Sequence, residues 1–333
     1  MVTRHKPSNA VSSGWILAAI TPLAIAALAG WWYWSTHRPQ PSPANRGLVP
    51  VQVEGPTLAA TGSTTTAEPG TAHAPAAEPL SAPAGPAAQL LEQGRQALAQ
   101  QDYLDATRTL TRALEAGLPD SQDREARAMI NAATDEWLFG DQIYEGDPFG
   151  LRHQVKAGEL LVQIGKQYAV PYPFLQRVNK LAKPQGLRTG QTIKVVQGPF
   201  HAVVHRQRFL MSVYLGDLIV RSYPVGLGAA GRETPPGIWQ VSLKQLNPEW
   251  VDPETHKKYL PDDPDNPVGD HWIALTGVEG EAVGRTGFGI HGTSKPEEIG
   301  KQTSRGCIRL HNGNAAELFD LLEVGKSRVQ VLD

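Results

Sequence analysis

The stretch from Pro39 to Pro86 sets the first limit on how this chain can fold. It is crowded with Pro, Ala, Thr, Ser and Gly and holds few large apolar residues. So little burial cannot offset the entropy of ordering a backbone. The composition predicts a flexible, partly extended spacer over 39–86. A chain of 333 residues, with 41% apolar and 19% charged residues overall, must then build its cores on either side of that spacer, in several modules.

Before the spacer, Gly14–Trp34 carries no charge. As a helix rising about 1.5 Å per residue it would be roughly 30 Å long, enough to cross a bilayer core. Arg4 and Lys6 precede it, which predicts a cytoplasmic tail over 1–13 and a transmembrane anchor over 14–34. Trp31, Trp32, Tyr33 and Trp34 suit the membrane–water interface. The competing reading is a cleaved signal peptide, with Ala27-Leu28-Ala29 as the small-residue cleavage site. Both readings carry the rest of the chain across the inner membrane, to the periplasmic or cell-wall side.

The formal net charge is only -2, which argues against general binding to nucleic acid. There is one cysteine, so no internal disulfide can form and a zinc site built on several thiolates is excluded. Nothing points to a metal or an organic cofactor.

Beyond the spacer, 87–147 reads as helical. Leu90, Leu91, Gly94, Ala97 and Leu98 recur at helical spacing, as do Ala106, Leu110, Ala113 and Leu114. Pro119 punctuates the pattern, and a further helix is expected from Ser121 to Trp137. Gly94, Ala97, Tyr103, Ala106 and Ala113 resemble one tetratricopeptide unit; a small helical spacer domain is the plainer reading, since one repeat cannot bury its own face. Such a module is a candidate surface for a protein partner.

The segment 150–197 reads strand, helix, helix, strand. Val155 opens a strand, Gly158 turns into a helix with Leu161, Ile164 and Tyr168, a second helix carries Leu175 and Val178, and Gly190 leads into Ile193, Val195 and Val196. With Val170, Asn179 and Leu187, these residues resemble a LysM module over its whole length. The resemblance implies a small α+β (βααβ) domain that binds N-acetylglucosamine-containing glycan such as peptidoglycan. A packing domain without glycan affinity is the alternative. The two modules differ in charge: 87–147 has 5 Lys+Arg against 12 Asp+Glu, and 150–197 has 8 Lys+Arg against 1 Glu. Opposite fields favour docking of one on the other, or of the basic module on anionic wall polymers.

From Pro199 to Asp333 the texture is mainly β. Val203–His205, Arg208–Tyr214 and Leu218–Val225 fit a meander, with Gly216-Asp217 turning between the last two. Ile238–Leu243, Trp272–Thr276, Phe288–His291 and Arg328–Leu332 add strands, and one helix begins near Asn314. Here the lone cysteine becomes informative. A free thiol outside the cell is either buried and inert or kept for its reactivity. Cys307 follows Ser304-Arg305-Gly306; Gly306 allows close approach of a bound carbonyl, and backbone N–H groups there suit an oxyanion hole. Arg305 and Arg309 flank it, and their charge favours thiolate. His291, sixteen positions earlier, is placed to meet the thiol across neighbouring strands and to take its proton. His311 is a second histidine, only four residues after the cysteine.

His291-Gly292-Thr293, a loop, and then Ser304-Arg305-Gly306-Cys307-Ile308-Arg309 resemble the active-site signature of the L,D-transpeptidase catalytic domain, the YkuD family. Gly226 and Thr234-Pro235-Pro236-Gly237 match the family's Gly-rich and Thr-Pro-x-Gly stretch, so the resemblance covers about 199–333. Many members place a second histidine where Arg305 stands, and some have Ser where Gly292 stands. His291 is therefore the one clear side-chain base, and what orients it is open. The resemblance implies a peptidoglycan enzyme with Cys307 as nucleophile and His291 as base. Arg309 is the candidate grip on a substrate carboxylate, with a structural ion pair as its alternative. Gly306, Ser304, Arg305 and Gly292 would line the substrate site, although Ser304 and Thr293 also suit turns. Stem peptides and glycan strands would be the partners, and 3→3 cross-linking the reaction. Hydrolysis of the same acyl-enzyme, giving a stem-trimming carboxypeptidase, and a non-enzymatic wall anchor are the alternatives.

Overall fold

The computed structural model describes residues 85–333. The expected cytoplasmic tail, the membrane-spanning helix and nearly all of the spacer lie outside the described residues. Among the described residues no helix is long and apolar enough to cross a membrane.

Three helices open the described chain: α1 (Pro86–Ala99), α2 (Tyr103–Glu115) and α3 (Asp120–Trp137). α2 starts where Asp102 accepts a hydrogen bond from the Asp105 N–H at 3.2 Å, satisfying a donor that the first turn leaves free. A Cβ at Gly94 would lie 2.5 Å from Leu110, so glycine lets α1 and α2 approach closely. Leu91, Leu110 and Ala113 pack there with Ala126 and Ile130 of α3 in one buried core. This is one helical pair with a third helix beside it, short of the stacked repeats a solenoid needs.

The next unit is β1 (Gly150–Gln154), α4 (Leu161–Gln167), α5 (Tyr172–Val178) and β2 (Thr192–Val196), with β1 and β2 antiparallel. Val155 lies just past β1, where its N–H still bonds Gln191. Gly158 and Gly190 both adopt positive φ, 75° and 82°, at the turns expected of them.

The remaining strands are β3 (Phe200–His205), β4 (Leu210–Leu215), β5 (Leu218–Pro224), β6 (Leu227–Gly228), β7 (Gly237–Leu246), β8 (Trp250–Val251), β9 (Lys258–Tyr259), β10 (His271–Gly280), β11 (Phe288–His291), β12 (Gln302–Ser304), β13 (Ile308–Arg309) and β14 (Arg328–Leu332). One helix, α6 (Asn312–Leu321), interrupts them. Eight strands form one sheet in the order β13-β11-β10-β7-β14-β3-β4-β5. Its apolar face, with Ile273, Ile290 and Ile308, packs with Leu310, Leu318 and Phe319 in one core. Lys244 caps α6 by donating to the carbonyls of Phe319 and Leu322.

The helical module covers the β5 end of this sheet. Thr134 donates to the Val220 carbonyl at 3.0 Å, and the Ile219 N–H donates to Thr111 at 3.2 Å. Arg221 of β5 pairs with Asp135 of α3 and with Glu317 of α6. Asp123 pairs with Arg208 at 2.8 Å. The acidic charge of the helices thus meets arginines of the β domain as well as the basic module. That basic module contributes Lys194, whose ammonium donates to Trp137 and Gly140 carbonyls at the end of α3, and an exposed Lys180–Asp141 pair at 2.7 Å. Burial lowers the Lys194 pKa to about 8.

Candidate active site

The candidate site lies at the other end of the sheet. β11 and β13 run parallel, with Ile290 level with Ile308 and His291 level with Arg309. Side chains two apart share a face, so Arg309, His291 and Cys307 lie on the face opposite the Ile290–Ile308 core. A backbone hydrogen bond from Gly289 to the Cys307 thiol puts the cysteine beside Gly289. Cys307 and His291 are therefore diagonal neighbours across strands about 4.8 Å apart. The thiol sulfur accepts from the Gly289 N–H and the imidazole Nδ1 donates to the Gly292 carbonyl, and no hydrogen bond joins the two side chains directly in this structure.

The turn before the thiol is fixed from three sides. The Ser304 hydroxyl accepts from the Gly306 N–H at 3.1 Å and donates to the Cys307 carbonyl at 2.6 Å. Thr234, from the Thr-Pro-Pro-Gly segment, donates to the Gly306 carbonyl at 2.8 Å. Gly306 itself has φ 110°, and a Cβ there would lie 2.7 Å from the Phe288 ring, so the position admits glycine alone. Since Ser304 holds the Gly306 N–H, the Cys307 N–H is the donor this turn offers to an oxyanion.

His291 is 4% exposed and carries no net charge at neutral pH: burial, with the Arg309 charge acting the same way, lowers its pKa to about 4. Its Nδ1 lies 2.6 Å from the Gly292 carbonyl, which can only accept, so Nδ1 bears the proton and Nε2 is the free base. Trp272 of β10 stands opposite His291 in the sheet, and the two rings stack with centroids 5.5 Å apart and 21° between planes. The Gly292 carbonyl and this indole are the groups in contact with the imidazole.

Several expectations change. The flanking arginines do not make Cys307 a thiolate, because burial raises its pKa to about 11 and neither arginine is free. Arg309 pairs with Glu298 and reaches Thr303 at 3.3 Å, which is the structural ion pair rather than an open grip; a substrate carboxylate would have to compete with Glu298. Its Nε is buried without a partner. Arg305 faces away from the thiol to the hairpin β8–β9, pairing with Asp252 at 3.2 Å and Glu254 at 2.9 Å. Ser304 is 2% exposed with its hydroxyl committed, so it shapes the turn instead of contacting substrate. Gly292 lies against Asn312, whose carboxamide oxygen would be 2.1 Å from a Cβ there and accepts the Thr293 N–H at 2.7 Å. Thr293 accepts the Lys295 N–H at 3.0 Å, a turn role. His311 is exposed ahead of α6. Sequence reasoning missed Trp272, Asn312 and Glu298; only the strand register brings the first to the site, and no local motif marks the others.

Comparison with known proteins bears on this geometry. The family model for the L,D-transpeptidase catalytic domain matches residues 199–331, and that for the LysM domain matches 153–196. The putative L,D-transpeptidase YkuD of Bacillus subtilis is 29% identical over 182 residues, 53% of this chain and 95% of that protein. The putative L,D-transpeptidase YqjB of the same organism is 34% identical over 138 residues, 41% of this chain and 73% of its own length. A solved L,D-transpeptidase from Mycobacterium smegmatis is 20% identical, covering 43% of this chain and 64% of that one at a TM-score of 0.31. The catalytic and LysM matches together with the 34% identity to YqjB establish that this chain belongs to the L,D-transpeptidase family, with a LysM domain upstream of its catalytic domain.

Proposed function

We propose that the protein forms 3→3 cross-links between peptidoglycan stem peptides through a thioester on Cys307, and that its LysM domain holds it on the wall. The observation that carries this reading is the buried, single-tautomer His291 one register step from the thiol at a glycine turn. Both groups are neutral at pH 7, so proton transfer accompanies attack. The Cys307 proton moves to His291 Nε2 as sulfur bonds the carbonyl carbon between the third and fourth stem residues. The Cys307 N–H faces the oxygen as it gains charge. His291 returns the proton to the leaving D-alanine amine as the C–N bond breaks. An acceptor amine then attacks the thioester, gives its proton to His291, and the thiol is restored.

The LysM groove supports wall binding. A cavity of about 530 Å³ lies between Gly158–Val162 and Pro184–Thr189. Its apolar lip, Leu160, Val162 and Tyr172, is 55%, 40% and 38% exposed, a surface suited to the C–H faces of sugar rings. Membrane anchoring through Gly14–Trp34 and a periplasmic location are part of the same proposal and rest on sequence alone.

The test is incubation of the protein with tetrapeptide muropeptides and mass analysis of the products. Cross-linked dimers are expected. Tripeptide monomers alone would make the protein a carboxypeptidase, and unchanged substrate with both wild type and Cys307→Ala would remove the enzymatic reading.

A further inference from the structure

We propose that Trp272 is a positioning residue for the reaction: its indole holds the His291 ring and supports the positive charge that ring acquires when it takes the Cys307 proton. The proposal rests on the Cys307–His291 chemistry above. Three observations converge on it.

First, the sheet register sets Trp272 directly across from His291, and the rings are nearly parallel at 5.5 Å. An imidazole stacked in this way cannot tip without losing that contact. Second, Gly289 makes room for the indole. A Cβ at Gly289 would lie 2.7 Å from both Trp272 Cζ2 and Cη2. The six-membered ring therefore lies over Gly289, the residue whose backbone is hydrogen-bonded to the Cys307 thiol. One indole thus lies against both the base and the glycine beside the nucleophile. Third, among the described residues no carboxylate backs His291. The one charged side chain acting on it is Arg309, which opposes a positive ring, and Glu298 is committed to Arg309. An imidazolium here is left with the Gly292 carbonyl on Nδ1 and the electron-rich face of the indole.

Proton transfer from Cys307 Sγ to His291 Nε2 creates the cation as the S–C bond forms, and delivery to the leaving amine discharges it. A group that favours the cation only in that interval lowers the barrier without tightening substrate binding. Replacing the indole should consequently lower kcat and leave KM in place.

The test compares Trp272→Leu, which stays apolar but has no π face, with Trp272→Phe, which keeps one. Full-length protein is assayed on tetrapeptide muropeptides, and histidine ¹⁵N shifts, with His291→Gln assigning the His291 signals, report its tautomer. Expected is a kcat roughly tenfold lower in Trp272→Leu and within about threefold of wild type in Trp272→Phe, with KM unchanged in both. The His291 signals should show the single Nδ1–H form in wild type and Trp272→Phe, and a mixture in Trp272→Leu. Trp272→Met, which also lacks a π face, should resemble Trp272→Leu and stands in should that variant fail to fold. Equal losses in Phe and Leu, or a Leu variant with wild-type kcat and one tautomer, would overturn the proposal. The tautomer is read without turnover, so a wild type lacking activity would count against the proposed function and leave the role of Trp272 decided by the spectra.

Discussion

At the β5 end of the sheet, Arg221 is buried and fully engaged: it meets Asp135, Glu317, Thr134 and the Asn131 carbonyl, and lies 3.8 Å above the Phe139 ring. Arg127 beside it reaches Asp123, Ser212 and Ser222. At the β13 end, His291 is buried and Cys307 half-buried, with little more than backbone partners, and desolvation drives both to their neutral forms. The first end keeps charges by pairing them, which fixes three elements to one another. The second keeps both groups uncharged and sparingly bonded, as the proposed proton exchange requires. Docking and chemistry thus use the same sheet under opposite electrostatic rules.

That contrast predicts which substitutions separate activity from stability. Cys307→Ala should abolish turnover, by at least about a thousandfold, while urea unfolding shifts by no more than ~1 kcal/mol. A variant that unfolds as readily as it loses activity would erase the distinction. Arg221→Ala, at the opposite end, should cost about 3–5 kcal/mol in the same unfolding experiment, because Glu317 is left without its buried partner. Its turnover per folded molecule should stay near wild type. Arg221→Met should lose less, since an apolar side chain at least fills the site.

The neutral end has a signature of its own in acid. His291 is pushed to about 4 when folded, against 6.5 unfolded, so the unfolded chain binds the proton first as pH falls. Its contribution is fully present above pH 6.5 and is lost as pH falls through 4, by roughly 3 kcal/mol. Thermal unfolding at pH 4.5 and 7 should show a smaller acid penalty in His291→Gln than in wild type. His201, half-buried and lowered to about 4 by desolvation, remains in both proteins and sets the background. The smallest effect is expected at Thr234→Val, which removes the hydroxyl bonded to the Gly306 carbonyl: about 1–2 kcal/mol, with a few-fold drop in kcat as the nucleophile turn loosens.

Legibility in the sequence followed the length of each element. The meander of β3, β4 and β5, with its Gly216-Asp217 turn, was plain from alternation and turn residues, as were α6 and β14. β6, β12 and β13 are two or three residues long and carry no periodicity to read, yet β13 aligns the site. The signature segment pointed to His291 and Cys307 because both lie within it. Arg305 and Arg309 misled because charge was judged by distance along the chain; each is held by an acid from another loop, Asp252 and Glu298. Trp272 was hidden for a related reason: only pairing of β10 with β11 places it over His291, nineteen positions on. The helices were legible as helices, but their attachment to β5 depends on individual pairs such as Arg221–Asp135, which module totals of charge do not disclose.

In the proposed reaction Cys307 forms a covalent acyl-enzyme with His291 as its neutral base. Intact-mass analysis of the protein after brief mixing with a tetrapeptide stem tests this directly. Expected are an adduct of the stem tripeptide on wild type, mapped to the peptide containing Cys307, no adduct on Cys307→Ala, and slowed formation in His291→Gln. An adduct that persists in Cys307→Ala, or dimer products formed with no trace of acylated Cys307, would contradict it.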